Sequence, residues 1–124
     1  MDTDIRALLA IAQTYFDAAH AMDADQFAPL FHPTSSVTKV GEGGDVNVTP
    51  IETWLAVVRT LEAPQRLGLE RHDEVLSIDL SGELALLKVR LLIPPRRVTD
   101  MLSCLRVGGI WKIAQKVMTA EMYR

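Results

Sequence analysis

RVTDMLSCLRVGGIWKIAQKVM, residues 97–118, decides the fold. Arg97 to Val107 mixes polar and apolar positions as a strand does, Gly108-Gly109 makes a tight turn, and Ile110 to Met118 returns as a second strand carrying Trp111-Lys112-Ile113. Upstream, Leu84 to Ile93 has a wholly apolar face of Ala85, Leu87, Val89, Leu91 and Ile93, with Lys88 and Arg90 on the other. Pro94-Pro95 ends that strand, because proline cannot donate to a β-ladder. Leu69 to Leu80 reads as another long strand with a bulge near Asp73, turned by Ser81-Gly82.

The first half reads differently. Ile5, Leu8, Leu9, Ala12, Tyr15, Phe16 and Ala19 recur at helical spacing, after a cap at Asp2 or Thr3. Asp23 with Gln26 three residues on forms a capping box for a short second helix that offers Phe27, Leu30 and Phe31 to the core. Ser35 to Val40 and Val46 to Val48 are short strands around a glycine-rich turn. A third helix is predicted from a Thr49 cap, Pro50 and Glu52, with Ile51, Trp54, Leu55, Val58 and Leu61 inward and Pro64 as its stop. Helices followed by a strand meander mean an α+β protein with helices on one face of an antiparallel sheet.

The chain of 124 residues suits a single domain over 1–124, with no repeat, linker or low-complexity stretch. With 48% hydrophobic residues it can build a core without staples. A net charge of -3 argues against a nucleic-acid surface, which needs clustered positive charge. No apolar run approaches the roughly 18 residues of a membrane span. The single Cys104 and the acidic start at Asp2 and Asp4 fit a reducing, cytoplasmic setting. Leu84, Leu86, Leu92 and Leu102 make the second sheet face more apolar than water contact requires, so a homodimer through the outer face is expected.

The order of elements resembles the nuclear transport factor 2-like superfamily, a cone-shaped, cystatin-like α+β fold with three N-terminal helices on a curved, mostly antiparallel sheet. Ketosteroid isomerases, SnoaL-like polyketide cyclases and scytalone dehydratase share it. Within it the chain is most similar to the family described as "putative lumazine-binding". Tyr15 ahead of Asp23, Phe31-His32-Pro33, Ser77-Ile78-Asp79, Ala85 with Lys88-Val89, Thr99-Asp100, and Trp111-Lys112-Ile113 with Lys116 carry the likeness. The resemblance implies a pocket between helices and sheet, with lumazine or a flavin-like ring as one candidate ligand. Laid on ketosteroid isomerase, Tyr15 takes the place of the oxyanion-stabilising tyrosine, Lys39 that of the general-base carboxylate, and Ser103 that of the neutral acid. A protonated lysine cannot abstract a proton, so that isomerase mechanism is not expected.

The expected ligand-binding set is Tyr15, Phe31, His32, Lys39, Trp54, Met101, Ser103 and Gln115. Two readings stand for Tyr15, a packed core tyrosine or a ligand contact, and two for His32, a helix-end role or a pocket acid–base. Tyr15, His32 and His72 are the candidate catalytic groups for a cofactor-independent isomerase, cyclase or dehydratase. In His72-Asp73-Glu74, His72 and Asp73 cannot converge on one ion unless a bulge intervenes, because strand neighbours face opposite ways, and no metal or cofactor is expected. Asp100 reads as an edge charge near Arg96 and Arg97, Lys88, Arg90, Lys112 and Lys116 as strand-surface charges, and Cys104 as an inert apolar residue. The functional expectation is a small-molecule binder. A SnoaL-like enzyme and a protein-interaction module are the alternatives.

Overall fold

The computed structural model describes residues 2–122. Helix α1 (Thr3–Ala21) leads into α2 (Ala24–Phe27), strands β1 (Ser36–Val40) and β2 (Val46–Pro50), and helix α3 (Ile51–Val58). Strands β3 (Glu74–Ser81), β4 (Leu84–Ile93), β5 (Arg96–Val107) and β6 (Ile110–Met122) follow. The six strands form one sheet in the order β2-β1-β6-β5-β4-β3, antiparallel except where β1 runs parallel to β6. Among the described residues no helix is long and apolar enough to cross a membrane.

Local chemistry explains most boundaries. The capping box is half formed: Asp23 Oδ1 accepts from the Asp25 and Gln26 backbone N–H groups, but the Gln26 amide donates to Asp23 Oδ2 at 3.0 Å and the Asp23 N–H bonds the Ala18 carbonyl instead. The β5–β6 turn uses Gly108 at φ 57° and Gly109 at φ 80°, a pair that side chains with a Cβ resist.

Several expectations need correction. Thr49 and Pro50 belong to β2, and the helix begins at Ile51, whose N–H bonds the Ser35 carbonyl at 3.0 Å. Thr49 is thus held in ladder register with Val37 and does not act as a cap. That helix stops at Val58, which leaves Leu61 half exposed. The strand expected from Leu69 starts only at Glu74, because Pro64–Leu67 forms a tight 3-10 turn closed by Gly68 at φ 67°. Its bulge lies between Val75 and Ser77, just beyond Asp73. Leu9 is 44% exposed on α1 and lies off its buried stripe.

The concave sheet face and α1 hold the core. Leu8, Leu87, Leu102 and Ile113 are fully buried, each contributing about 1.5–3 kcal/mol of hydrophobic stabilisation. Leu102 therefore belongs to this inner face, not to the outer one. It pairs with Leu87, while Ala85 pairs with Cys104. The outer face keeps Leu84, Leu86, Met101, Leu105 and Val117 exposed.

Candidate ligand-binding site

The second half of α1 runs over the ends of β4, β5 and β6, and α2 and α3 close the side. These elements leave a cavity of about 330 Å³. Its walls are Tyr15 and Ala19 of α1, Phe27 of α2, Trp54 and Val58 of α3, and Leu91, Ile93, Val98 and Met118 of the strands. Met22, Leu61, Glu62, Pro94 and Arg96 complete the lining, and all but Met22 are exposed at the rim. Met22 stands at φ 47°, a left-handed conformation that ends α1 and turns the chain into α2.

Two charged residues enter this apolar space, each for a backbone reason. Inward positions of β5 alternate as Val98, Asp100, Leu102 and Cys104, all buried, so Asp100 points to the core with its apolar neighbours. Lys116 arrives differently. Ser103 pairs with Gln115 but Cys104 pairs with Ile113, so β6 carries one extra residue, Ala114. A bulge of this kind reverses which side chains face inward. Trp111 and Ile113 are buried before it. After it Lys116 is buried and Gln115 is exposed.

The polar groups form a compact trio. The Tyr15 hydroxyl donates to Asp100 Oδ2 at 2.6 Å. Lys116 Nζ stands 3.9 Å from the same oxygen, too far for a hydrogen bond. Asp100 Oδ1 is buried without a partner among the described residues. Only 4% of Lys116 and 1% of Asp100 is exposed. The ammonium rests 4.1 Å from the Trp54 ring centroid and 5.3 Å from that of Tyr15, a cation–π arrangement. Edge-on stacking continues the aromatic wall, with Tyr15 to Phe27 at 5.2 Å and Phe27 to Trp54 at 4.9 Å.

Burial acts on both ends of the trio. It pushes the Tyr15 hydroxyl well above its usual pKa, and the neighbouring Asp100 charge pushes the same way, so this tyrosine stays protonated. Lys116 is held below its usual value, again first by burial. Asp100 opposes that shift and the positive charge of Lys39 reinforces it. Burial likewise pushes the Cys104 thiol up to about 12, which keeps it inert.

The trio has unused bonding capacity. An ammonium carries three N–H donors. Among the described residues Lys116 reaches only the 3.9 Å ion contact and two ring faces. A ligand acceptor placed against Nζ would gain a charge-assisted bond in a dry site. No group of three or more metal-ligating side chains exists among the described residues.

Of the residues expected from sequence, Tyr15 and Trp54 line this cavity. Phe31 is buried behind Trp54, with ring centroids 5.8 Å apart. His32 lies outside the lining. Its Nδ1 is 2.7 Å from the Thr34 hydroxyl, and its N–H bonds the Ile113 carbonyl. Lys39 is exposed on β1 and borders a neighbouring hollow. Met101 and Ser103 face outward on β5, and Gln115 is exposed with its amide oxygen bonded to the Ser36 hydroxyl at 2.7 Å. His72 is exposed beside Glu70, 3.3 Å away.

Three placements are corrected. Asp100, not Ser103, is the residue opposite Tyr15, because the even positions of β5 face inward. Asp100 is therefore no edge charge. Lys116 is no surface lysine, because the Ala114 bulge turns it inward. The Asp100 position was legible in principle, as a charge in phase with Val98, Leu102 and Cys104. The Lys116 position was not, since no glycine or proline marks the bulge.

This architecture is that of a nuclear transport factor 2-like, cystatin-like protein. The chain belongs to the family described as "Putative lumazine-binding", whose model matches residues 3–119. No functionally curated protein matches it. Among solved structures it is similar to an NTF2-like protein of unknown function from Shewanella baltica OS155, 20% identical, covering 96% of this chain and 94% of that one at a TM-score of 0.88. A second NTF2-like protein of unknown function, from Silicibacter pomeroyi DSS-3, is 24% identical, with 98% and 100% covered and a TM-score of 0.84. A ketosteroid isomerase-like protein from Erwinia carotovora atroseptica is 11% identical, with 97% and 98% covered and a TM-score of 0.73. These likenesses show a shared fold.

Proposed function

We propose that the protein binds a compact, flat, largely apolar ligand bearing a carbonyl or similar acceptor, of which lumazine is an example. One observation carries this reading: a buried ammonium, Lys116, with no hydrogen-bond acceptor among the described residues, at an aromatic-walled cavity of about 330 Å³. That volume sits at the small end of ligand pockets. Trp54 and Phe27 supply faces for a ring, Lys116 donates to its acceptor, and Tyr15 fixes Asp100 so that the carboxylate stays beside the ammonium. Asp100 Oδ1 lacks a partner among the described residues, which favours ligands that carry an N–H or O–H next to the acceptor, as the pyrimidinedione edge of lumazine does.

Fluorescence titration tests this directly, since Trp54 lines the cavity. Lumazine is expected to quench Trp54 emission saturably, with the response lost in Trp54→Phe. Lys116→Met is expected to weaken binding roughly ten- to hundred-fold, the worth of a hydrogen bond from a charged donor. Unchanged affinity in Lys116→Met would refute the assignment.

The exposed Leu84, Leu86, Met101, Leu105 and Val117 favour one further element of this reading, pairing of two copies through the outer sheet face. A monomer mass at micromolar concentration would exclude it.

A further inference from the structure

We propose that Lys116 is a nucleophile that condenses with the carbonyl carbon of a small aldehyde or ketone held in the cavity, forming a Schiff base. This rests on the ligand reading above and goes beyond it, from hydrogen bonding a carbonyl to covalent capture of one.

Three features of the site point this way. Lys116 alone among the lysines lines the cavity. Lys112 is tied to the Pro29 carbonyl at 2.6 Å, Lys88 lies on the outer face, and Lys39 is exposed. Second, the walls around Nζ are rings and aliphatic chains, and a desolvated lysine is the usual starting point for carbonyl chemistry. Third, a proton acceptor stands next to it: Asp100 Oδ2 is 3.9 Å from Nζ, held by the Tyr15 hydroxyl.

The step balances on these groups alone. When Nζ moves from its 3.9 Å separation to within hydrogen-bond reach, the ammonium gives one proton to the Asp100 carboxylate. The freed lone pair attacks the carbonyl carbon, a C–N bond forms, and the C=O π electrons move to oxygen. A proton passes from nitrogen to that oxygen, giving a carbinolamine. Protonated Asp100 returns its proton to the hydroxyl, the C–O bond breaks, water leaves, and the nitrogen lone pair closes the C=N bond. The product is an iminium beside a carboxylate, the same charge pair as at the start. No oxidant or reductant is consumed.

The charged neighbours bear on the timing of this step. Asp100 favours the ammonium, whereas burial and the positive charge of Lys39 favour the free amine. Glu62 and Arg96 stand at the rim and Tyr15 remains protonated. The balance leaves Lys116 below its usual pKa, so its labelling should begin at lower pH than that of exposed lysines.

The experiment is reductive trapping on the full chain with benzaldehyde and sodium cyanoborohydride, followed by intact mass and peptide mapping. One benzyl group per chain is expected, at Lys116 ahead of Lys39, Lys88 and Lys112, with benzyl alcohol protecting. Asp100→Asn is expected to slow labelling of Lys116 at least ten-fold and leave the exposed lysines unchanged. Mapping the wild-type chain needs no variant to fold. Label on the exposed lysines with Lys116 spared overturns the proposal. If Lys116 is spared while lumazine still quenches Trp54, the covalent step fails and the binding reading survives. If both signals are absent, both fail.

Discussion

The two halves of the concave face are built from the same strands and the same helix, yet they end differently. Near the N-terminal half of α1, Leu8, Leu87, Leu102, Cys104 and Ile113 fill the interior, and none is more than 2% exposed. At the other half the same β5 and β6 present Asp100 and Lys116, and space is left between them and α3. The closed half is stabilised by packing. The open half carries a desolvated ion pair, an arrangement that apolar residues of the same size would match or exceed in stability. The difference teaches that packing holds one half together, whereas the trio in the other adds little stability and leaves polar groups at the cavity.

The largest expected effect breaks the closed half. Leu102→Ala should cost about 2–5 kcal/mol in denaturant unfolding, because a fully buried leucine leaves a cavity that its neighbours cannot fill. A smaller cost would mean that the packed half yields as easily as the open one.

The open half should respond in the opposite sense. Replacing the whole trio, Tyr15→Phe with Asp100→Leu and Lys116→Met, should leave stability unchanged or raise it by about 1–4 kcal/mol. Lumazine binding should disappear. A strong loss of stability would show that the trio holds the fold together and would erase the contrast.

The smallest effect is the pH dependence of unfolding. Lys116 is depressed in the folded state, so the folded protein binds fewer protons there than the unfolded chain. Its contribution is present above the ordinary value of 10.5 and is lost as pH falls through the lowered one. Tyr15 is raised, so its contribution is present below 10.0 and lost as pH climbs above it. Lys116→Met should flatten the first slope and Tyr15→Phe the second, each by at most about 1.4 kcal/mol per pH unit. Curves that superimpose with wild type would contradict the burial of both groups.

Legibility followed the physics of each element. The strand read as Leu84 to Ile93 is β4 to the residue, because its wholly apolar inward face and the prolines after it fix its extent. Tyr15 and Trp54 reach the cavity because they stand on apolar helical stripes, and stripes face the interior. The likeness to ketosteroid isomerase gives Ser103 the neutral acid's place. Asp100, three residues earlier, has the inward parity and takes that place. Gln115 and Lys116 exchanged sides for a similar reason.

By itself the sequence determined the element order, the helix-then-meander architecture, the apolar faces of α1 and β4, and the aromatic side of the cavity. Each is set by periodicity or by a local cap or turn, and both act within a few residues. Only the tertiary structure decided which charges enter the core. A single extra residue at Ala114 reverses the facing of everything after it in β6, and a bulge forms only when β5 is present to pair against. Lys116 beside Asp100 and Tyr15 is therefore a product of strand register, set by contacts between residues far apart in the chain.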